Sequence, residues 1–375
     1  MAEYFGKDVF KLGFGLMRLP KLEDGKSIDV EQTAKMVDLF MEAGGTYFDT
    51  AYVYDDGRSE EAAREALVKR HPRESFTLCT KLNAAMQCHD EKSAKQQFYT
   101  SLERTQAGYF DYYLLHALQE GNYRKYDEYH IWDFVKEMKA KGLIRHFGFS
   151  FHDSPEMLDR LLTKHPEVDF VQLQINYADW ENPGIASRAN YEMARKHGKS
   201  ITVMEPVKGG ALADPIPEVK KILNEADPKA SYASWAIRYA ASLDGIITVL
   251  SGMSNIAQME DNLSYMKEFQ PLSDTEKAAI RRAQFALEKS DSIKCTGCHY
   301  CTGGCPMEIA IPEIFSACNE QLVYKDHEKG KQEYEKAAAK GGRASECVHC
   351  LQCEEVCPQK LPITSFLEKA AEMFE

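Results

Sequence analysis

The sequence predicts an α/β protein in two parts. These are a (β/α)8 TIM barrel over residues 1–270 and, after a linker helix at 271–290, a small, mainly α-helical domain at 291–375. In the first part, short apolar runs alternate with amphipathic helical stretches, which implies right-handed βαβ units and a parallel sheet. Eight such units in about 260 residues match the usual size of this barrel. Nine of the eleven cysteines fall in the second part, and eight of these nine form two regular runs.

The predicted strands, in chain order, are 12–16, 46–50, 76–81, 111–116, 145–150, 169–174, 200–204 and 246–250. Helices are predicted between them at 31–43, 58–70, 91–107, 130–141, 155–164, 184–197, 228–241 and 255–266. The first of these helices has most of its apolar residues on one side and stops at Gly44-Gly45. The opening segment has Gly6-Lys7-Asp8 between apolar residues, which predicts a β-hairpin that closes the bottom of the barrel.

The cysteines of the second part form two copies of one pattern. The first run is Cys295-x2-Cys298-x2-Cys301-x3-Cys305 before Pro306, and the second is Cys347-x2-Cys350-x2-Cys353-x3-Cys357 before Pro358. This is the ligand run of a bacterial-type [4Fe–4S] ferredoxin, whose fourth Cys binds the other cluster. We therefore expect a ferredoxin-like iron–sulfur domain with two clusters. Cluster one would use Cys295, Cys298, Cys301 and Cys357, and cluster two Cys347, Cys350, Cys353 and Cys305.

Disulfides and zinc are poorer interpretations of these runs. Nothing marks the chain as secreted, and disulfides belong to oxidising compartments. Zinc sites usually take two CxxC pairs, which leaves the third and fourth cysteines of each run unexplained. The 41 residues between the runs are rich in helix formers, which indicates an all-α module. The other cysteines, Cys79, Cys88 and Cys318, are expected to be ordinary buried thiols.

Composition and charge exclude several classes of protein. A net charge of −12 argues against nucleic acid or an anionic membrane as a partner. The first residues lack the pattern of a signal peptide, and no apolar stretch approaches the ~20 residues that span a bilayer. With 44% hydrophobic and 28% charged residues, the composition is typical of a soluble globular protein, so we expect the cytoplasm as its location.

Four residues lie where a barrel enzyme places its chemistry, at or just after the C-terminal ends of strands. They are Asp49, Tyr54, Lys81 and His116. A cation beside a tyrosine favours the phenolate and lowers its pKa, and an aspartate would hold that lysine in place. A neutral histidine can orient a carbonyl oxygen by a hydrogen bond. Together they would form a general acid for a carbonyl that receives a hydride.

These segments resemble a known family. DTAYVY from Asp49 to Tyr54, TK at the third strand and LLH at the fourth resemble the Asp-Tyr-Lys-His tetrad of the aldo/keto reductases. HFGFS, VQLQINY, VMEPVKGGAL and SGMSNIAQMEDN are similar to later motifs of that family, in the same order. The resemblance covers residues 8–266, and the Cys-rich tail resembles a branch with a C-terminal ferredoxin domain. It implies that Tyr54 donates the proton, that Lys81 lowers its pKa, and that His116 positions the substrate oxygen.

The resemblance also implies contacts to a nicotinamide cofactor. Ser150 and Gln172 match residues that hold the nicotinamide amide, whereas Phe151 replaces the family's Asn and Met204 replaces its stacking Tyr. The pyrophosphate would lie along the segment that contains Pro206, Val207, Gly209 and Leu212. After the eighth strand, Asp261 and Asn262 match the residues that hold adenine. Gly252 and Gln258 stand where NADPH-specific members have cations, so NADP(H) against NAD(H) stays open, with Lys208 as a substitute cation and a slight preference for NADP(H).

Three functions remain open at this point. The barrel can reduce a small-molecule aldehyde, ketone or quinone-like carbonyl while the clusters exchange electrons with it or with a redox protein partner. The clusters can instead only brace the tail of a plain carbonyl reductase. The barrel can also bind nucleotide as a sensor for an electron-transfer domain. A hydride carries two electrons and a cluster takes one, so a flavin would normally mediate between them, although no flavin motif is visible.

Overall fold

The computed structural model describes residues 4–375 and contains the predicted barrel. Eight strands form a closed barrel in which each strand is parallel to the next and the last pairs with the first. The strands are β1 Leu12–Gly15, β2 Tyr47–Asp49, β3 Thr77–Leu82, β4 Phe110–Leu118, β5 Ile144–Phe151, β6 Phe170–Gln174, β7 Ser200–Met204 and β8 Ile246–Ser251. Almost every strand residue is buried, because helices cover the outside and side chains fill the inside.

Helices follow the strands, with additions that the sequence did not predict. The helices are α1 Val30–Glu42, α2 Arg58–Ala63, α3 Glu91–Thr105, α4 Tyr123–Glu128, α5 Ile131–Ala140, α6 Pro155–Lys164, α7 Ser187–Lys196, α8 Pro217–Ala226, α9 Tyr232–Ala241, α10 Ile256–Met266, α11 Asp274–Glu288, α12 Ile311–Tyr324, α13 His327–Ala338, α14 Gln352–Glu355 and α15 Ile363–Phe374. A π-helical stretch, Arg64–Val68, prolongs α2. The predictions missed α4 and α8, and α11 occupies the predicted linker.

The predicted N-terminal hairpin is wrong. Within residues 4–10 the chain forms turns, with backbone hydrogen bonds from Lys7 to Tyr4 and from Val9 to Gly6. The apolar residues still close the bottom of the barrel, because Phe5 and Val9 pack against buried side chains at the starts of the strands. A turn suffices there, since the segment needs only to cover this apolar end.

The described chain divides into two compact units. Unit 1 comprises the described residues up to Asn182, together with Ala186–Pro206 and Ala233–Asp274. Unit 2 comprises Pro183–Ile185, Val207–Tyr232 and Thr275–Glu375. The sequence placed Val207–Tyr232 in the barrel domain, whereas its contacts place it in unit 2. The predicted domain boundaries stay a prediction.

The C-terminal part of unit 2 is helical, as predicted. Helices α12 to α15 enclose a core that includes Phe315, Tyr334 and Phe374. No strand occurs in the described residues after Ser251. Across residues 4–375, no helix combines the length and the apolar character that are needed to cross a membrane.

Candidate active site and cluster sites

The four predicted catalytic residues come together at the C-terminal end of the barrel. Asp49 ends β2, Lys81 lies in β3 and His116 lies in β4, while Tyr54 follows β2 in a turn. The Lys81 ammonium forms a buried ion pair with Asp49 and donates to the Thr50 carbonyl at 2.7 Å. It also lies 4.7 Å from the centre of the Tyr54 ring.

A bulge in β4 places His116 against this tyrosine. The pairing of β4 with β5 shifts between Leu115 and Leu118, and Ala117 has a left-handed φ of 57°. The Ala117 N–H donates to Ser150 Oγ at 2.7 Å, which fixes the bulge. The His116 and Tyr54 rings meet edge to face, with centroids 5.7 Å apart.

The environment of His116 keeps its ring neutral. Burial lowers the pKa of His116 well below its usual value, and the Lys81 charge lowers it further. Its Nδ1 is buried and makes no hydrogen bond within the described residues. A neutral imidazole has one N–H to donate, which suits the predicted role of orienting a carbonyl oxygen.

The expectation that Lys81 lowers the pKa of Tyr54 is wrong for this structure. Burial raises the pKa of Tyr54 well above its usual value, and the charges of Asp49, Cys79 and Glu205 add to the rise. The ammonium of Lys81 is already paired with Asp49, and it lies over the ring face. Burial therefore outweighs the effect of the Lys81 charge on the resting phenol, although the ammonium still lies next to the ring on which a phenolate would form.

The sequence did not predict Glu205 or the polar residues that hold its backbone in place. Glu205 directly follows β7 and has a left-handed φ of 55°, which is uncommon outside glycine. The Asn176 amide holds its carbonyl at 3.0 Å and also donates to Asp179 at 2.8 Å. Gln174 donates to the same carboxylate at 2.9 Å. The strand-end rule that found the tetrad could have pointed to Glu205, but not to the network that holds it.

Two residues predicted to hold the nicotinamide amide are neighbours. Ser150 and Gln172 are paired directly across β5 and β6, and both are buried. The Gln172 amide donates to Asp49 at 3.3 Å, which ties this pair to the tetrad. Phe151 is buried in the sheet beside them, and Met204 ends β7 half-buried, opposite Gln174. The polar atoms of Ser150 and Gln172 suit a carboxamide, but their contacts with a nicotinamide stay predictions.

The predicted pyrophosphate residues fall on both sides of the unit boundary. Pro206 is a buried residue of unit 1, while Val207, Gly209 and Leu212 belong to unit 2. Lys208 is only 4% exposed and donates to Gln359 at 3.0 Å. Because the Lys208 ammonium is engaged in this buried hydrogen bond, the structure argues against the prediction that it binds the cofactor phosphate.

Residues after β8 show how the adenine end is built. Asn262 donates to Ser251 Oγ at 2.8 Å, and Asp261 lies beside it on α10. Gln258 accepts from the Ser254 N–H at 2.7 Å. A Cβ at Gly252 would lie 3.6 Å from the Cβ of Arg18, so the aliphatic part of this arginine side chain passes beside Gly252.

The first cysteine run lines a cavity that is partly open to solvent. Its thiols are Cys295, Cys298, Cys301 and, from the second run, Cys357. The other lining residues are mainly apolar and include Ile311 and Phe315. Four thiols around an apolar cavity are the donor set that a [4Fe–4S] cluster takes. The crossing of Cys357 into this group agrees with the predicted exchange of fourth ligands.

The second cysteine run lines another cavity that is partly open to solvent. Its thiols are Cys347, Cys350, Cys353 and, from the first run, Cys305. Ile311 lines both cavities, so they share a wall. No three His, Cys, Asp or Glu side chains in residues 4–375 converge on one ion. A cluster does not require such convergence, because each thiolate binds its own iron.

Three of the thiols that line these cavities, Cys295, Cys301 and Cys353, favour their protonated form. Burial raises the pKa of Cys301 to about 12, and neighbouring thiols contribute to the rise. Burial likewise raises the pKa of Cys295 and of Cys353 to about 11. Metal binding must therefore displace protons from them. The other cysteines, Cys79, Cys88 and Cys318, are buried as predicted.

Comparison with known proteins agrees with this geometry. Residues 11–284 match the aldo/keto reductase family, and residues 288–358 match a 4Fe-4S dicluster domain. An uncharacterized oxidoreductase of Bacillus subtilis, YqkF, is 24% identical over 286 residues, which are 68% of this chain and 87% of that protein.

Solved structures show the same barrel. The holo form of aldo-keto reductase AKR11C1 from Bacillus halodurans has a TM-score of 0.60 and 26% identity, over 75% of this chain and 95% of that one. An aldo/keto reductase from Klebsiella pneumoniae, in complex with NADP and acetate, has a TM-score of 0.59 and 21% identity, over 74% and 93%. The chain belongs to the aldo/keto reductase family of NAD(P)H-dependent oxidoreductases, in a branch with a C-terminal 4Fe-4S dicluster domain.

Proposed function

We propose that this protein reduces an aldehyde, ketone or quinone-like carbonyl with NAD(P)H at the Asp49, Tyr54, Lys81 and His116 group. The main support for this proposal is the position of Lys81. It forms an ion pair with Asp49 and lies 4.7 Å from the centre of the Tyr54 ring, and His116 packs against the same ring. A proton donor, a cation that can stabilise its conjugate base and a neutral histidine thereby share one place. Such a set of groups can catalyse carbonyl reduction by donating a proton as the hydride arrives.

The raised pKa of Tyr54 is compatible with that role. When bound, the nicotinamide supplies a hydride to the carbonyl carbon. Tyr54 gives its phenolic proton to the carbonyl oxygen, which becomes strongly basic as the hydride arrives. The Lys81 charge then stabilises the phenolate until solvent returns the proton. In sum, the carbonyl takes up a hydride and a proton and becomes an alcohol, while NAD(P)H becomes NAD(P)+.

His116 would fix the substrate oxygen. Its lowered pKa keeps the imidazole neutral, so it donates a hydrogen bond without introducing a charge. Edge-to-face packing on Tyr54 holds the ring close to the proton donor. Both groups would then act on one oxygen atom, which fixes the carbonyl for attack on one face.

Replacement of Tyr54 tests the proposed reduction. We expect Tyr54→Phe to lower kcat for a test aldehyde by about 10²- to 10⁴-fold, because general acid catalysis contributes that much. Cofactor binding, measured by the quenching of protein fluorescence, should be retained. Tyr52→Phe is the matched control, since Tyr52 contacts Arg104 instead. Wild-type turnover in Tyr54→Phe would rule out this proton donor.

The two cavities are proposed to hold two [4Fe–4S] clusters that carry electrons. The crossed thiol sets and the apolar linings support the clusters, and the shared wall at Ile311 supports exchange between them. Two clusters hold two electrons, the number that one hydride carries. We expect about eight irons and eight sulfides per chain after anaerobic reconstitution. Four irons or fewer would contradict two clusters.

Cluster two is the proposed contact with a redox protein partner. Among the cluster cysteines only Cys350 is exposed, and Val348 and Leu351 beside it are 57% and 48% exposed. Residues 345–356 contain three glutamates and neither lysine nor arginine. An apolar centre with an acidic surround fits a one-electron carrier with a basic surface around its own apolar contact.

Electron transfer to cytochrome c, a basic one-electron carrier, tests this contact. With NAD(P)H as the electron donor, we expect Val348→Ser/Leu351→Ser to slow cytochrome c reduction at least about tenfold, while reduction of ferricyanide, a small acceptor of high potential, keeps its rate. Phe285→Ser is the control, because Phe285 is a 58% exposed residue on α11. Equal rates for the double variant and the wild type would exclude this surface.

Coupling between the two halves has a direct optical test. NAD(P)H is added to the protein under anaerobic conditions, and the broad cluster absorbance at about 400 nm is recorded. Bleaching would support electron exchange, and flavin bands in the same spectrum would identify a mediator. Aldehyde-dependent NAD(P)H oxidation without bleaching would contradict this coupling. It would indicate a carbonyl reductase whose clusters only support the structure of the tail.

A further inference from the structure

The turn that carries Tyr54 has a strained backbone. Asp55, Asp56 and Gly57 follow Tyr54 directly, and their φ angles are 50°, 55° and 87°. Three consecutive left-handed residues, two of them with side chains, are uncommon, and they persist only where the surrounding structure holds them. The turn lies between β2 and α2, so contacts from neighbouring elements must fix the place of the Tyr54 ring.

One arginine braces both ends of this turn. The Arg104 side chain reaches the turn from α3, and its Nη1 donates to the Tyr52 carbonyl at 3.0 Å. Its guanidinium carbon lies 4.5 Å from the centre of the Tyr52 ring, and Tyr52→Phe would keep both of these contacts. At the other end, a Cβ on Gly57 would lie 2.4 Å from the same guanidinium carbon. Arg104 therefore packs against the chain on both sides of Tyr54.

A buried carboxylate connects this arginine with the strand of Lys81. Glu60, on α2, is fully buried, and it accepts from Arg104 Nη1 at 3.3 Å and from Thr80 Oγ1 at 2.7 Å. Thr80 directly precedes Lys81 on β3. Successive side chains of a strand point to opposite faces, so Thr80 meets α2 outside the barrel while Lys81 lies inside it. The Glu60 carboxylate thus ties the strand of Lys81 to the arginine that braces Tyr54.

The other ion pairs of the turn lie at the surface. Asp55 pairs with Lys21 at 2.7 Å and with Arg58 at 2.8 Å, and the two cationic side chains are 32% and 43% exposed. Exposed pairs contribute little, because water screens them. Glu60 is buried, so its charge cannot lose Arg104 without a large cost. The buried pair is therefore the contact that holds the strained turn in one conformation.

We propose that Glu60 and Arg104 are positioning residues that hold the Tyr54 ring beside Lys81. They fix the two segments between which the distance of 4.7 Å from the Lys81 ammonium to the ring centre is set. Neither residue would touch the substrate or the cofactor. Their effect is to keep the proton donor next to the charge that stabilises its phenolate. This inference rests on the role of Tyr54 in the proposed function, and all four residues belong to unit 1.

Steady-state kinetics of the full chain measures the effect of the pair. The variant is Glu60→Gln/Arg104→Met, which removes both charges and so avoids a buried carboxylate without its cation. We expect kcat for a test aldehyde to fall about 10²-fold, because a displacement of about 1 Å in a catalytic group can cost that much. The Kd for NAD(P)H should change little. Wild-type kcat in this variant would overturn the proposal.

Two single variants separate positioning from stability. Arg73→Met removes an arginine that also pairs with a buried carboxylate, Asp111, but at the start of the strands. It should keep the kcat of the wild type, and an equal fall in Arg73→Met would contradict the proposal. Arg104→Lys keeps the charge beside Glu60 without the fork that also reaches the Tyr52 carbonyl. Its kcat should lie between those of the wild type and the double variant.

Nuclear magnetic resonance follows the position of Tyr54 without turnover. All tyrosine rings are labelled with carbon-13, and the signal that is missing from Tyr54→Phe belongs to Tyr54. This signal should shift in Glu60→Gln/Arg104→Met and keep its wild-type position in Arg73→Met. An unshifted Tyr54 signal in the double variant would refute the positioning role. If the wild type reduced no carbonyl, the proposed function would fail, while the Tyr54 signal would still decide whether the pair positions this ring.

Discussion

Removal of the Lys81 charge should cost stability and activity for different reasons. Lys81 is fully buried, and it pairs with Asp49, which is 3% exposed. Lys81→Met leaves this carboxylate inside the barrel without its cation, while the Gln172 amide at 3.3 Å gives it one neutral hydrogen bond. Breaking a buried pair in this way costs about 3–5 kcal/mol. At about 2–4 °C per kcal/mol, Tm should fall on the order of 10 °C.

Removal of both charges should restore the stability alone. Asp49→Leu/Lys81→Met leaves no buried ion, and replacement of a buried pair by apolar residues is often neutral or stabilising. We expect its Tm to lie closer to that of the wild type than to that of Lys81→Met. Carbonyl reduction should stay lost in both variants, because neither can stabilise the Tyr54 phenolate.

Tryptophan fluorescence follows this unfolding in one unit. The three tryptophans, Trp132, Trp180 and Trp235, all lie in unit 1. Arg73→Met is the control, because Asp111 keeps Arg145 at 3.0 Å after Arg73 is removed. It should lose less stability and keep its activity. A double variant less stable than Lys81→Met would refute the reasoning, as would a Lys81→Met protein that melts with the wild type.

Two other predictions concern pH and cofactor choice. The pKa of His116 lies well below 6.5 and that of Tyr54 well above 10, so kcat/KM should show no step from these groups between about pH 6.5 and 10. A step in this range that disappears in a His116 or Tyr54 variant would contradict this. Arg18→Ala should raise KM for NADPH more than KM for NADH, because Arg18 runs past Gly252. Equal effects on the two cofactors would remove Arg18 from phosphate recognition.

Much of the fold was predictable because its signals are local. Buried parallel strands are short apolar runs, and all eight appeared in the sequence at their observed places within a few residues. Helix α4 was missed because it lies in a polar loop and has only six residues. The predicted N-terminal hairpin was wrong because turns that cover the end of the barrel bury its apolar residues equally well.

The site was predictable where chain order implies position. Strand ends of a barrel meet at one face, so Asp49, Lys81 and His116 could be grouped from sequence alone. The grouping of the cysteines was predictable from the spacing of the two runs, and the fourth cysteine of each run lines the cavity of the other. The bond between Lys208 and Gln359 follows no such rule, since it depends on how distant segments pack. The pKa of Tyr54 likewise needed the observed burial and the pairing of Lys81.

Paired glycines offer a sharp test of the packing around cluster one. An alanine at Gly209, where φ is +63°, would place its Cβ 2.2 Å from the Thr296 carbonyl oxygen. Gly210 has a φ of +103° with nothing within 4 Å, so Gly210→Ala bears backbone strain without a clash. Gly209→Ala should push Thr296 and the adjacent Cys295 out of place. We expect it to retain about four irons, while Gly210→Ala retains about eight. Equal iron contents in the two variants would mean that this loop does not support cluster one.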